Sequence, residues 1–319
     1  MPKIKWTHAA GEDYIEVNDW VAAHKNYLYE RPVLETDLAS LLNYKSGKDL
    51  ALIFPIYHSS HPHQVEVLCK SAMWQLQSFL FYSDVVEKQV SIFIVVSKKA
   101  YPIAEPYFKR ANLPEFSIVR FTQNPKLRNV LKFECIFQPC FDDYEKVVWC
   151  DVDNVIVGKP DWQPLPIAQT MLERWNTRSQ PFLFAKDLKH SRYQSAVARL
   201  KRENPAWHKI AEVFNMSIRE LHDYWYQNEM NVYDVRGWLV GISRSLRIDA
   251  GFRQWIRQWY DVLGSSDETL LELYAFHRQL QDANVCIASD FLRLHSYEQK
   301  DHDSKGSCFL VHLSQKGKK

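Results

Sequence analysis

The segment 144–160, YEKVVWCDVDNVIVGKP, constrains the fold of this chain more than any other part of its 319-residue sequence. Two apolar runs, 147–149 and 155–157, flank the aspartates Asp151 and Asp153. An unpaired carboxylate in an apolar setting costs several kcal/mol, so charged residues rarely interrupt a buried strand. Two aspartates at the end of such a strand indicate that a cation normally lies beside them.

The Asp-Val-Asp step places both carboxylates on one side of an extended backbone, because side chains two residues apart share a face. One divalent cation can then be bound by both, directly or through water. Oxygen ligands suit Mg²⁺ or Mn²⁺ better than Zn²⁺, and such ions keep coordination positions open for phosphate oxygens. The alternative is that Asp151 and Asp153 only cap a strand or begin a turn. The apolar strands on both sides favour the metal site.

Apolar runs alternate with helical patterns upstream of this segment, which predicts parallel βαβ units with right-handed crossovers. The predicted strands are 50–57, 90–96, 116–121 and 146–150, and the predicted helices are 64–82, 103–111 and 127–141. Ligands of such sheets bind beyond the carboxyl ends of the strands, where Tyr57, Asp151 and Asp153 lie.

The remaining segments are less regular. Residues 1–48 are polar and aromatic without a strong period, and are interpreted as a helical N-terminal arm. Beyond residue 160 the patterns predict strands at 182–185, 238–243, 285–288 and 309–313, and helices at 194–201, 207–214, 249–263 and 268–281. The chain is therefore divided into an arm (1–48), an α/β half (49–160) and an α+β half (161–319) of the same globular unit.

Composition excludes several classes of protein. The chain has only 9 glycines and contains neither a G-x-G-x-x-G motif nor a phosphate-binding P-loop. A formal charge of +2 gives no reason to expect a nucleic-acid partner. The 6 cysteines form no C-x-x-C pair and are interpreted as buried thiols. No apolar stretch reaches the ~20 residues of a membrane span and no secretory segment is recognised. This indicates a cytoplasmic protein without a transmembrane segment, or else a chain from which a membrane anchor has been removed.

Residues 146–157, KVVWCDVDNVIV, preceded by a helix with basic residues and an aspartate-rich turn, resemble the Asp-x-Asp glycosyltransferases of the GT-A fold. The nearest likeness is to the glycogenin and galactinol-synthase type, and it covers residues 49–160 well and the remainder in outline. The resemblance implies a Rossmann-type, mostly parallel sheet flanked by helices. It also implies a UDP- or GDP-sugar donor bound by residues 49–160, a Mn²⁺ or Mg²⁺ cofactor, and a glycan or other hydroxyl acceptor bound by residues 161–319.

The resemblance also assigns roles to single residues. His312 corresponds to the metal-binding histidine of a late His-x-x-Gly-x-x-Lys element, and Lys318 to a lysine that contacts the diphosphate, although Gln315 replaces the glycine. The expected metal ligands are therefore Asp151, Asp153 and His312, with Asp151 also able to act through the ribose. The alternatives are that His312 is a hydrogen-bonded histidine at a strand end and that Lys318 lies in a disordered tail.

Further residues of the nucleotide site follow from the same resemblance. Arg128 and Lys132, one helical turn apart, correspond to basic residues near the phosphates or the carboxylates; the alternative is a solvated helix face. Tyr57 is expected to stack on the nucleobase, or else to be a core tyrosine. The histidines of the loop YHSSHPH lack a completing ligand set, because Pro62 interrupts them and no cysteine lies near, so a zinc site there is disfavoured.

The acidic pair Asp267 and Glu268 is the expected catalytic group. An inverting enzyme needs a carboxylate base on the acceptor hydroxyl, whereas a retaining enzyme of the glycogenin type does not. Both residues also fit a simple helix N-cap. Asp234 and Asp249 are further candidates, and an exposed tryptophan in 249–263 could stack on an acceptor ring.

Two other functions remain open from the sequence. A nucleotidyltransferase that builds sugar nucleotides shares this sheet, but it normally has a glycine-rich basic loop after the first strand, where this chain has HSSHPHQ. A non-catalytic nucleotide-sugar-binding protein could also use the scaffold, because a fold does not determine function. Such a binder predicts that replacing Asp151 or Asp153 leaves ligand affinity unchanged.

Overall fold

The computed structural model describes residues 6–9, 12–15, 44–45, 47–57, 62–113, 117–122, 131–152, 154–156, 164–186, 205–227, 235–263, 270–271, 274, 278, 285–288, 292, 294–296 and 310–312. The strands are β1 Trp6–Ala9, β2 Glu12–Ile15, β3 Leu50–Ile56, β4 Ser91–Ser97, β5 Ile118–Phe121, β6 Lys146–Cys150, β7 Asn154–Ile156, β8 Phe182–Lys186, β9 Val235–Ser243, β10 Val285–Ile287, β11 Leu294–Ser296 and β12 Leu310–His312. The helices are α1 Pro62–Tyr82, α2 Tyr101–Arg110, α3 Leu131–Ile136, α4 Ile167–Arg174, α5 Pro205–Phe214, α6 Ile218–Gln227, α7 Arg244–Arg247 and α8 Ala250–Leu263.

A seven-stranded, mostly parallel sheet flanked by helices forms the framework, which confirms the predicted α/β class. Its strand order is β10-β8-β9-β6-β3-β4-β5. The pairs β3–β4, β4–β5 and β10–β8 are parallel, whereas β8–β9 is antiparallel. The strands predicted between residues 50 and 150 all form, because each is an apolar run bounded by polar residues.

Contacts within the chain divide it into two compact units. The first contains Met1–Gln123, Val148–Arg174 and Asp290–Lys319, and the second contains Asn124–Val147 and Trp175–Ser289.

The core of the first unit lies between β3 and α1. Every residue of β3 is buried, and α1 packs against β3, β7 and α2. The helix begins at Pro62, a residue that suits the first helical position because it lacks an N–H. Phe54 of β3 and Phe79 of α1 meet with their ring centroids 5.4 Å apart. A second, three-stranded sheet of order β11-β12-β7 belongs to the same unit.

An aromatic cluster forms the core of the second unit. Phe252 of α8 contacts Phe137, Phe182 and Tyr274, with ring centroids 4.8–5.9 Å apart in edge-to-face arrangements. Gly241 of β9 leaves room for the indole of Trp175, since a Cβ at this position would lie 2.7 Å from that ring.

Arg247 is fully buried in the second unit. Its guanidinium donates hydrogen bonds to the carbonyl oxygens of Phe141 (2.6 Å), Ile242 (3.2 Å) and Tyr144. Burial lowers the pKa of Arg247 to about 10, opposed by the nearby carboxylate of Asp142, so the group stays cationic at neutral pH. The arginine therefore holds the turn that precedes β6 against the end of β9.

Two predicted elements differ from those observed. The N-terminal arm is not helical in its described part: β1 and β2 pair antiparallel, with Trp6 opposite Ile15. These segments are rich in aromatic and β-branched residues, which favour strands. The helix predicted over 127–141 is described only as α3 and ends at Ile136; Gln138 is extended (ψ 136°) before a 3₁₀ turn, because Pro139 disfavours the α conformation in the residue before it.

Candidate functional site

Three N–H groups converge on the backbone carbonyl of Asp151, at the carboxyl end of β6. The Gln75 side chain donates from Nε2 at 2.9 Å, and Asn154 donates from both Nδ2 (2.8 Å) and its backbone N (3.0 Å). Gln75 and Asn154 are both fully buried. Because asparagine readily stabilises turns through its side chain, these bonds hold the backbone of Asp151 directly after β6.

Helix α1 provides the support for this turn. Ser71, Gln75 and Ser78 share one face of the helix, at i, i+4 and i+7. Ser78 Oγ accepts the backbone N–H of Ile156 at 3.0 Å, so α1 holds both β7 and the turn before it. Within the described part of the chain, Ser71 Oγ and Gln75 Oε1 are buried and have no hydrogen-bond partner. This role of α1 was not predicted; its signal in the sequence is three polar residues spaced so that they share one face of the helix.

The backbone register of the three-stranded sheet brings His312 to this turn. Strand β12 pairs antiparallel with β7, and His312 lies directly opposite Asn154, the residue that follows Asp153. Paired Cα atoms in such a ladder lie about 4.5–5.5 Å apart. The structure thus confirms that His312 ends a strand and places that strand end beside the Asp-x-Asp step.

Of the expected metal ligands, Asp151 is the one whose side chain the structure describes. The Asp151 carbonyl already accepts three hydrogen bonds, so any ligand from this residue comes from its half-buried carboxylate. Among the described side chains, no three His, Cys, Asp or Glu residues form a metal-binding group. Asp153 lies outside the described residues, and only the backbone of His312 is described.

Cys150, which precedes Asp151, does not take part in this chemistry. Burial raises the pKa of its thiol, and the neighbouring Asp151 raises it further. A protonated thiol is neither a good metal ligand nor a nucleophile. The prediction of buried thiols holds for Cys69, Cys135, Cys150 and Cys286, whereas Cys140 is exposed.

The other predicted nucleotide-site residues lie in different places. Tyr57 follows β3 directly and is half-buried, at the carboxyl end of its strand as predicted. Lys132 belongs to α3 in the second unit and is only 9% exposed. The alternative interpretation, in which Lys132 lies on a solvated helix face, is therefore wrong. Arg128 and Lys318 lie outside the described residues.

The predicted catalytic pair, Asp267 and Glu268, also lies outside the described residues, as does Asp234. Asp249 is described and caps α8, because its Oδ1 accepts the backbone N–H of Phe252. His63, from the histidine-rich loop, is exposed and lies 3.8 Å from Glu66.

Comparisons with known proteins assign no family. No family model matches the sequence, and no curated protein matches it. Among solved structures, the chain is similar to mouse xyloside xylosyltransferase 1 in its apo form, with a TM-score of 0.43 and 10% identity over 83% of this chain and 97% of the mouse chain. Similarity at this level assigns neither an activity nor a substrate.

None of the helices in the described ranges combines the length and the apolar character needed to cross a bilayer.

Proposed function

We propose that this chain is a metal-dependent glycosyltransferase that moves a sugar from a nucleotide-diphosphate sugar to a glycan or other hydroxyl acceptor. The register of β12 on β7 carries the proposal, because it brings His312 beside the step that contains Asp151 and Asp153. These residue types are the ligands that the Asp-x-Asp interpretation requires, and they come from two distant parts of the sequence.

Asp151, Asp153 and His312 would hold a Mn²⁺ or Mg²⁺ ion. When bound, the ion offsets the negative charge that grows on the leaving diphosphate. The hydrogen bonds from Gln75 and Asn154 support this role of Asp151, because they hold its backbone in place and leave only the side chain to be oriented on binding.

The remaining assignments form the rest of the proposal. Tyr57, at the carboxyl end of β3, would stack on the base of the nucleotide. Arg128, Lys132 and Lys318 would contact the phosphates. Asp267 or Glu268 would act as the base of an inverting reaction, and would be dispensable in a retaining one.

Ligand-dependent thermal stability tests the donor site. The protein is heated with UDP, GDP, UDP-glucose, UDP-xylose or GDP-mannose, each with Mn²⁺, Mg²⁺ or EDTA. A ligand at 100 times its dissociation constant stabilises the folded state by about 2.7 kcal/mol. We expect a metal-dependent shift with one nucleoside diphosphate, lost in Asp153→Asn and retained in Asp223→Asn, a surface aspartate of α6. No shift with any nucleotide in the presence of metal would overturn the proposal.

Turnover separates the three candidate functions once a nucleotide binds. A glycosyltransferase releases the nucleoside diphosphate from the sugar nucleotide, and release rises with an acceptor. A nucleotidyltransferase instead releases pyrophosphate from a nucleoside triphosphate and a sugar phosphate. Nucleotide binding that yields neither product and that survives replacement of Asp151 or Asp153 would indicate a non-catalytic binder.

A further inference from the structure

A cavity of about 450 Å³ opens in the second unit, beside the N-terminus of α8. Its volume is in the range of small-molecule sites, roughly 300–1,000 Å³. The residues used below are all among those lining it: Ser245, Asp249, Phe252, Trp255, Tyr274 and Arg278.

Aromatic rings form one side of the cavity. Trp255 and Phe252 both pack edge-to-face against Tyr274, at centroid distances of 5.0 and 4.8 Å. Phe252 and Tyr274 are buried, whereas Trp255 is partly exposed. The indole is therefore held in place by its neighbours and presents apolar surface to a ligand.

Two charged side chains of opposite sign, Asp249 and Arg278, also line the cavity. Asp249 uses Oδ1 to cap α8, and its Oδ2 has no hydrogen bond to the described residues. Arg278 is exposed, and its guanidinium forms no ion pair with a described side chain. Ser245 adds a hydroxyl, which lies 3.0 Å from the hydroxyl of Ser243.

This combination fits a neutral sugar. An aromatic ring packs against the C–H face of a pyranose, while planar carboxylate and guanidinium groups bind pairs of hydroxyls. A ligand with a net charge would be attracted by one of the two charged side chains and repelled by the other. A polyhydroxylated neutral ligand satisfies both.

We propose that this cavity is a binding site for a neutral pyranose unit. The assignment rests on the cavity alone and goes beyond the proposed glycosyltransferase function: Arg244, next to Ser245, donates its backbone N–H to the carbonyl of Glu145 before β6, whereas Asp151 follows β6. The site defines the ligand class: a neutral saccharide rather than an acidic glycan or a small alcohol.

Saturation-transfer NMR and calorimetry with maltose, cellobiose, lactose and xylobiose test the site on the full chain. We expect transfer to at least one disaccharide, and no comparable transfer to glucuronic acid or glucosamine. Arg278→Gln removes charge-assisted hydrogen bonds and should weaken binding about tenfold or more. Trp255→Leu should remove the transfer. Arg257→Gln is the matched control, because Arg257 is exposed on α8 and does not line the cavity.

Asp249→Asn gives a second, conservative test, because asparagine caps a helix as well as aspartate does. The variant should keep the fold, as circular dichroism checks, and bind the disaccharide more weakly. Absence of binding to every disaccharide overturns the proposal, as does binding that Arg278→Gln and Trp255→Leu leave unchanged.

The Mn²⁺-dependent nucleotide shift, measured on the same samples, distinguishes the two proposals. Nucleotide binding without saccharide binding overturns the cavity assignment and leaves the glycosyltransferase proposal standing. Saccharide binding without nucleotide binding supports the saccharide site and overturns the glycosyltransferase proposal. Failure of both measurements overturns both proposals.

Discussion

Replacing Gln75 by leucine removes the polar groups of this side chain while a buried side chain still occupies the position. The substitution removes a hydrogen bond worth about 0.5–1.5 kcal/mol, but the Asp151 carbonyl keeps both donors of Asn154. It also removes the buried Oε1, which has no donor among the described residues and whose desolvation costs about 1–3 kcal/mol. The two effects oppose each other, so we expect the free energy of unfolding to change by less than about 1 kcal/mol.

Ser78→Ala, one helical turn further along α1, provides the contrast. This change leaves the buried backbone N–H of Ile156 without its acceptor, at a cost of about 1–3 kcal/mol. Equilibrium urea unfolding measures both variants, provided that the slope with denaturant is common to them and the parent. Gln75→Leu should lie near the parent and Ser78→Ala well below it.

A functional measurement completes this test. Gln75→Leu frees the Asp151 backbone from α1, so Mn²⁺-dependent nucleotide binding should weaken while folding stability is retained. A loss of stability in Gln75→Leu as large as that in Ser78→Ala would refute the energetic reasoning. Unchanged nucleotide affinity would refute the role of Gln75 in positioning Asp151.

Four further predictions concern the fold and its thiols. Gly241→Ala should destabilise the protein by about 1–3 kcal/mol in urea unfolding, because the new Cβ meets the ring of Trp175 at 2.7 Å. Iodoacetamide should modify exposed Cys140 and leave Cys69 unmodified in peptide mass mapping, because burial raises the pKa of Cys69 to about 12. The ordinary thiol pKa is 9.0, and the folded state retains this proton as pH rises above that value. The contribution of Cys69 to the free energy of unfolding, measured in reductant, should therefore be level below pH 9.0 and fall above it. Asp84→Ala should cost about 0.5–2 kcal/mol in urea unfolding, because the Asp84 carboxylate caps α4 by accepting two backbone N–H groups at 2.8 and 2.9 Å.

The elements that could be predicted from the sequence are those with a strong local pattern. Strand β3 is a run of apolar residues, and α1 carries apolar residues along its length, so both were expected close to their observed bounds. Helix α4 has no comparable pattern and was missed. Its N-terminal cap comes from Asp84, which is 84 residues from Ala168 in sequence, and no local signal reports such a partner.

The residues of the candidate site also differ in whether the local sequence predicts them. The Asp-x-Asp step follows an apolar strand, so the position of Asp151 could be predicted from its neighbours alone. The group that fixes its backbone, Gln75, comes from a helix 76 residues earlier. Pairing of β12 with β7 likewise depends on the tertiary fold, although the histidine that ends β12 was found from the resemblance.

The order in which the chain is made gives the Asp151 turn a further property. Its supports come from α1, which is synthesised before the turn, and from β12, which begins at Leu310, long after β7 has ended at Ile156. Pairing of β7 with β12 closes a long loop, which costs conformational entropy. The contacts that offset this cost form only when β12 is present. A ribosome-bound chain that stops before residue 310 therefore carries both aspartates but lacks the strand that contains His312. The proposed metal site would then be complete only after translation has passed this strand, so metal binding would test completed folding of the first unit together with that proposal.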